Sequence, residues 1–133
     1  MHGASLDLWK EAFPRADVYG LDHKDHALNH KVFIGGQDDP VLAEEVSNYG
    51  PFDLIIDDAS HRPDHTMRSF GLYFPMCKRW YVIEDIYSNY SRGKRTGSFM
   101  GHIHKLIDEM NLTCAIKSFH LYYNIVFIEK RNT

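Results

Sequence analysis

The sequence predicts an α/β fold, a mainly parallel sheet with helices packed on it, closed by a C-terminal β-hairpin. Three observations carry this. Short apolar runs alternate with stretches of helical periodicity, as in chains that cross back and forth over a parallel sheet. Two runs, "PFDLIID" and "WYVIED", are continuous rather than alternating in polarity, as expected of strands covered on both faces. The last two extended runs lie close enough together to pair as a hairpin.

Taken in order, residues 5–13, "SLDLWKEAF", place Leu6, Trp9 and Phe13 at helical spacing, with Ser5 as N-cap and Pro14 as the stop. "VYGLD" is a short strand ending on Asp22. "KVFI", residues 31–34, is a second strand, and "GGQDDP" turns the chain into a helix over Pro40 to Ser47 that opens on proline. "PFDLIID" is the third strand. A helix over residues 63–77 follows, with Met67, Phe70, Phe74 and Cys77 on one side and Gly71 in its middle. "WYVIED" is the fourth strand. Beyond a Ser-, Gly- and Arg-rich loop at 88–97, a helix near 98–110 sets Phe99, Ile103, Leu106, Ile107 and Met110 along one stripe. "TCAIKSFHL" and "YNIVFIEK" make the hairpin. No internal repeat or interdomain linker interrupts this order, so residues 1–133 are expected to form a single domain.

Bulk properties exclude several classes. A length of 133 residues, 44% of them apolar and 25% charged, suits one hydrophobic core of a globular protein. The net charge of -3 provides no basic stripe for a phosphate backbone, so nucleic acid is not the expected partner. Cys77 and Cys114 are too few and too far apart for a disulfide scaffold or a metal-binding Cys pair. No apolar run approaches the ~20 residues of a membrane helix, and "MHGASLDLWKEAF" lacks the regions of a signal peptide. A cytoplasmic setting without a membrane partner is therefore expected.

The acids fall in a pattern. In an open parallel sheet, ligands bind beyond the carboxyl ends of the strands, where loops converge and helix N-termini point. Three expected strands end in acid at that edge: Asp22, then Asp57 and Asp58, then Glu84 and Asp85. Neighbouring strands lie about 4.8 Å apart, so Asp58, Glu84 and Asp85 can converge if their strands are adjacent. Three carboxylates so close repel one another unless protons or a cation compensate. A hard divalent ion such as Mg²⁺ suits oxygen ligands better than Zn²⁺ does. Against this stands the ordinary role of an acid at a strand end, as a helix cap or a solvated turn.

His61 follows Asp58 by three residues, and imidazole chemistry beside a bound hydroxyl suits general-base work near neutral pH. The other histidines compete poorly. His23, His26 and His30 have spacings that a helical metal site would allow, but a solvated short helix is the simpler reading. His65 fits a surface position, His102 and His104 do not share a helix face, and His120 falls in the hairpin.

These segments also resemble a family. "HGASLDLWKEAFPRADVYGLD", "VFIGGQDDP", "FDLIIDDASH", "YFP", "YVIEDIYSNY", "GSFMGHIHKLIDEMN" and "YNIVFIEK" occur in the order of the class I S-adenosylmethionine-dependent methyltransferases. Within that class the chain is similar to the metal-dependent sugar O-methyltransferases of macrolide biosynthesis and their cephalosporin hydroxylase-like relatives. The resemblance implies a Rossmann-like methyltransferase sheet. It implies S-adenosylmethionine and Mg²⁺ as cofactors and a hydroxyl of a sugar or similar small molecule as acceptor. On the cofactor side it implies Asp22 at the ribose, Gln37 and Asp38 by the adenine, Asp57 near the methionine portion and Gly3 in the remnant of a glycine turn. It assigns Asp58, Glu84 and Asp85 to the metal, His61 to the catalytic base, and Asn89 and Tyr90 to a substrate-facing loop.

The resemblance also implies a departure. The family's first strand, which lies between the strands ending at Asp22 and Asp58, would precede "HGASL", so the chain reads as N-terminally truncated, a partial domain. Strand 18–21 is then expected to lie directly beside strand 52–57, or a gap to remain. An unpaired central edge favours a homo-oligomer. A second function class follows as the alternative: a degenerate methyltransferase-fold chain without catalysis, serving as a binding or assembly module.

Overall fold

The computed structural model describes residues 4–25, 29–89, 98–113 and 115–131. Helix α1 (Ala4–Ala12) leads into strands β1 (Tyr19–Asp22) and β2 (Lys31–Ile34), then α2 (Pro40–Ser47) and β3 (Phe52–Asp57). Helix α3 (Pro63–Tyr73), strand β4 (Cys77–Glu84), helix α4 (Ser98–Leu112) and the hairpin of β5 (Ile116–Tyr122) and β6 (Ile125–Lys130) complete the order. This is a mixed α/β chain with the expected alternation and the expected antiparallel end.

Local chemistry sets the boundaries. Asp39 caps α2 by accepting from the backbone N of Val41 at 2.9 Å, and Pro40 stands at the first helical position, where no N–H is needed. α1 begins at Ala4, so Ser5 lies inside the helix and is not its N-cap. α3 ends at Tyr73, short of the expected residue 77. Pro75 lacks the N–H that the next helical bond requires, and Phe74–Met76 tighten into a 3-10 turn. Cys77 consequently opens β4 instead of closing a helix. On α4, Ile103 and Leu106 are buried and Met110 packs against the core, while Ile107, one position off that line, is exposed.

The strands form two sheets, β1–β2 and β3–β4–β6–β5. The β1–β2 and β3–β4 pairs are parallel, and β4–β6 and β6–β5 are antiparallel. Tyr81, Ile83, Val126 and Ile128, all but inaccessible, form the main core with Phe70 of α3, Phe74 of the 3-10 turn, and Ile103 and Leu106 of α4. The Phe70 ring meets Tyr81 edge-on at 5.1 Å and stacks on Phe74 at 4.6 Å.

Among the described residues no ladder joins β1 to β3, so a gap remains between the two sheets. β3 is correspondingly not covered on both sides: Leu54 is 41% exposed despite its apolar surroundings in sequence. Side chains bridge the gap. Tyr19 of β1 meets Phe52 of β3 at 5.8 Å and Tyr49 at 5.6 Å, and Phe33 of β2 meets Tyr49 at 5.1 Å.

Candidate active site

Parallel pairing of β3 with β4 sets Asp57 opposite Ile83, so the residues just beyond, Asp58 and Glu84, leave the sheet at the same corner. Successive side chains on a strand point to opposite faces. Asp57 is turned into the protein and is 8% exposed, whereas Asp58 is open to solvent.

Asp57 sits in a closed polar network. Gln37 Nε2 donates to its Oδ1 at 3.1 Å, and Tyr81 Oη donates to its Oδ2 at 3.4 Å while lying 3.2 Å from Ser69 Oγ. Gln37 Oε1 accepts from the backbone N of Ser60 at 2.8 Å. Burial pushes the Asp57 carboxyl above its usual range, opposed by hydrogen bonds from Ser69, the Ala59 backbone, Tyr81 and Gln37. The loop after β2 is thereby clamped to the end of β3.

At the open side, Asp58, His61 and Asp85 each offer a ligand atom, all within 4.8 Å of one another. His61 Nε2 lies 3.5 Å from Asp85 Oδ2. Both residues have left-handed backbones, with φ of 52° for His61 and 53° for Asp85. Such conformations are uncommon for residues other than glycine and concentrate where a side chain must be aimed. Asn124 Nδ2 donates to Asp85 Oδ1 at 2.6 Å, leaving Oδ2 on the His61 side.

Electrostatics tie Glu84 to the same corner, although its carboxylate is not one of the three clustered groups. Partial burial, then repulsion from Asp58 and Asp85, raises Glu84 above the usual carboxyl range, against attraction from His61. Asp58 is raised by partial burial and by Asp85, with His61 opposing. Carboxylates that hold their charge less readily than usual, gathered on an accessible rim, fit a hard cation that would offset the repulsion.

The remaining residues of the expected site divide. Asp22, at the end of β1, accepts from the backbone N of Lys24 at 3.1 Å and lies 2.9 Å from His23 Nδ1. Asp38 faces Arg68 Nη1 at 3.3 Å. Gly3, His26, Tyr90, the loop at 90–97 and Cys114 lie outside the described residues, as does the side chain of Asn89. His30 pairs with Asp7 at 2.8 Å rather than with His23, so the histidines of "HKDHALNH" form no metal cluster among the described residues. Asn124 is the participant that sequence reasoning missed. It stands 39 residues from Asp85, and its only local signal is an asparagine in a two-residue turn.

The chain is similar to proteins of known activity. The chain is 34% identical to the demethylmacrocin O-methyltransferase of Streptomyces fradiae, over 96% of this chain and 40% of that enzyme. It is 32% identical to the mycinamicin VI 2''-O-methyltransferase of Micromonospora griseorubida, over 96% and 39% respectively. The solved structure of the MycE methyltransferase in complex with Mg, SAH and mycinamycin VI superposes with a TM-score of 0.86 at 33% identity, covering 96% of this chain and 40% of that one. The chain is a homologue of part of the sugar O-methyltransferases. Its sheet is the Rossmann-like sheet of such methyltransferases, and it spans about two-fifths of the length of the curated relatives it matches. No family profile matches the chain of this methyltransferase homologue.

Proposed function

We propose that this chain carries the metal and base portion of an S-adenosylmethionine-dependent, Mg²⁺-dependent O-methyltransferase acting on a hydroxyl of a sugar or similar small molecule. The observation that carries the proposal is the convergence of Asp58, His61 and Asp85, with Glu84 coupled to them, in a chain homologous to sugar O-methyltransferases.

Asp58, Glu84 and Asp85 would hold Mg²⁺, because a hard cation prefers carboxylate oxygens and His61 is the softer group of the set. When bound, the ion supplies charge that lowers the pKa of a neighbouring acceptor hydroxyl. His61, whose Nε2 lies 3.5 Å from Asp85 Oδ2, takes the hydroxyl proton on its imidazole. S-adenosylmethionine would supply the methyl group, whose carbon would bond to the acceptor oxygen as the carbon–sulfur bond breaks with its electron pair left on sulfur. That sulfonium methyl is already activated, so the protein's main task is alignment. Asp22, Gln37 and Asp38 line the cofactor side in this reading, with Asp57 acting chiefly by holding Gln37 in place.

The site favours catalysis over a non-catalytic module, since a bare binding module has no use for an imidazole aimed by a left-handed backbone at the acids. No helix among the described residues is long and apolar enough to cross a membrane. A cytoplasmic setting, one partial domain spanning 1–133, and a homo-oligomer formed through the free edge of β3 belong to the same proposal. Calorimetric titration of S-adenosylmethionine and its demethylated product, with and without Mg²⁺, tests it. Micromolar binding and Mg²⁺-dependent label transfer to a sugar hydroxyl are expected. Absence of binding at millimolar ligand would return the chain to the class of degenerate modules.

A further inference from the structure

The turn joining β5 to β6 reaches back to the acid corner. Tyr122 pairs with Ile125, which leaves only Tyr123 and Asn124 in the turn. Asn124 has φ of 66°, a conformation that asparagine and glycine adopt most readily at the second central position of a turn. From there it engages three consecutive residues. Its Nδ2 donates to Asp85 Oδ1 at 2.6 Å, its Oδ1 accepts from the backbone N of Tyr87 at 2.9 Å, and its carbonyl accepts from the backbone N of Ile86 at 3.3 Å.

We propose that Asn124 is a positioning residue for the metal corner: it occupies Asp85 Oδ1 and thereby presents Asp85 Oδ2 alone to the space shared with Asp58 and His61. The proposal rests on the reading of that corner as a cation site. Both ends of the amide are used, so the group cannot flip without losing a bond to Asp85 or to Tyr87. The donor is neutral, so it fixes the carboxylate without cancelling the charge a cation needs. Asp85 also sits in a left-handed conformation that persists only where the surroundings over-determine it, and the bonds to residues 85–87 supply that support. Partners one step removed from a metal commonly orient the ligand in this way.

Asn124→Gly tests the assignment, because glycine tolerates the positive φ and only the amide is lost. Mn²⁺ binding to the whole chain, followed by electron paramagnetic resonance, gives a readout independent of methyl transfer, and thermal unfolding of the metal-free chain gives a second. The expected result is Mn²⁺ affinity lower by about 10- to 100-fold, with the metal-free unfolding midpoint shifted by only a few degrees. A purely structural role would move the midpoint and spare the affinity of the folded chain. Affinity within twofold of the unsubstituted chain overturns the positioning role while leaving the cation site intact. If the unsubstituted chain itself binds no Mn²⁺, the cation reading falls and this inference with it.

Discussion

Asp57 and Asp58 are consecutive in sequence, yet the first carboxylate is locked inside a network with Gln37 and Tyr81 while the second stands on the open rim near His61 and Asp85. Their amide variants should therefore behave differently. Asp58→Asn removes a proposed metal ligand and is expected to weaken Mg²⁺ or Mn²⁺ binding tenfold or more. Asp57→Asn, which keeps an acceptor in the buried network, is expected to leave affinity within a few fold. Calorimetry on both variants checks this, and equal losses would contradict the division of roles.

His61→Ala separates base from ligand. As the base, its loss should lower methyl transfer by roughly 10²- to 10⁴-fold while metal affinity stays nearly constant. A tenfold fall in affinity would instead place the imidazole among the ligands.

Two buried groups, Tyr73 and Gln37, predict opposite stability effects. Tyr73 Oη is buried without a hydrogen-bond partner among the described residues, and its pKa is pushed up to about 12 by burial and then by Asp39, Asp57 and Asp38. Tyr73→Phe should be neutral or stabilising by up to about 1 kcal/mol, since no bond is lost with the hydroxyl. Gln37→Leu removes one donor from the buried Asp57 carboxylate and strands the Ser60 N–H, and should destabilise by about 1–3 kcal/mol. Urea unfolding at pH 7 measures both. A destabilised Tyr73→Phe chain would reveal an unseen partner for that hydroxyl.

His102 gives a pH dependence. Burial, the leading cause, and Lys105 lower its pKa, Glu109 opposes them, and its ring lies edge-on to Phe70 at 5.6 Å. A depressed pKa means the folded state prefers the neutral ring. The stability this contributes is complete above the unfolded value near 6.5 and is lost as pH falls through the folded value. Relative to His102→Leu, the unsubstituted chain should lose stability between pH 7.5 and 5. Parallel pH profiles for the two chains would refute the assignment.

The corner was legible in the sequence because parallel pairing brings strand ends together. Once "LIIDD" and "YVIED" are read as adjacent strands, their acidic ends fall at one corner, but periodicity does not say that Asp58 and Asp85 cluster with His61 rather than with the Glu84 carboxylate. Asn124 was not legible, because a turn asparagine looks the same whether its amide meets water or a carboxylate 39 residues away. Leu54 misled for a related reason: an apolar strand residue implies a cover, and the cover depends on which strand lies beside β3. The length of α3 followed from a single missing N–H at Pro75, a local fact that helical periodicity overrode.

The gap between the sheets carries a consequence for how the chain opens. Backbone ladders propagate cooperativity, and among the described residues the ladder stops at β3. Amide protons of β1 and β2 should therefore exchange with solvent through a cheaper opening than those of β4 and β6, as two separate foldons. Asp22 belongs to the first of these units and Asp58 to the second. A small molecule gripping both would couple the two openings, and slowed exchange in β1 on its addition would register binding before any methyl group had moved.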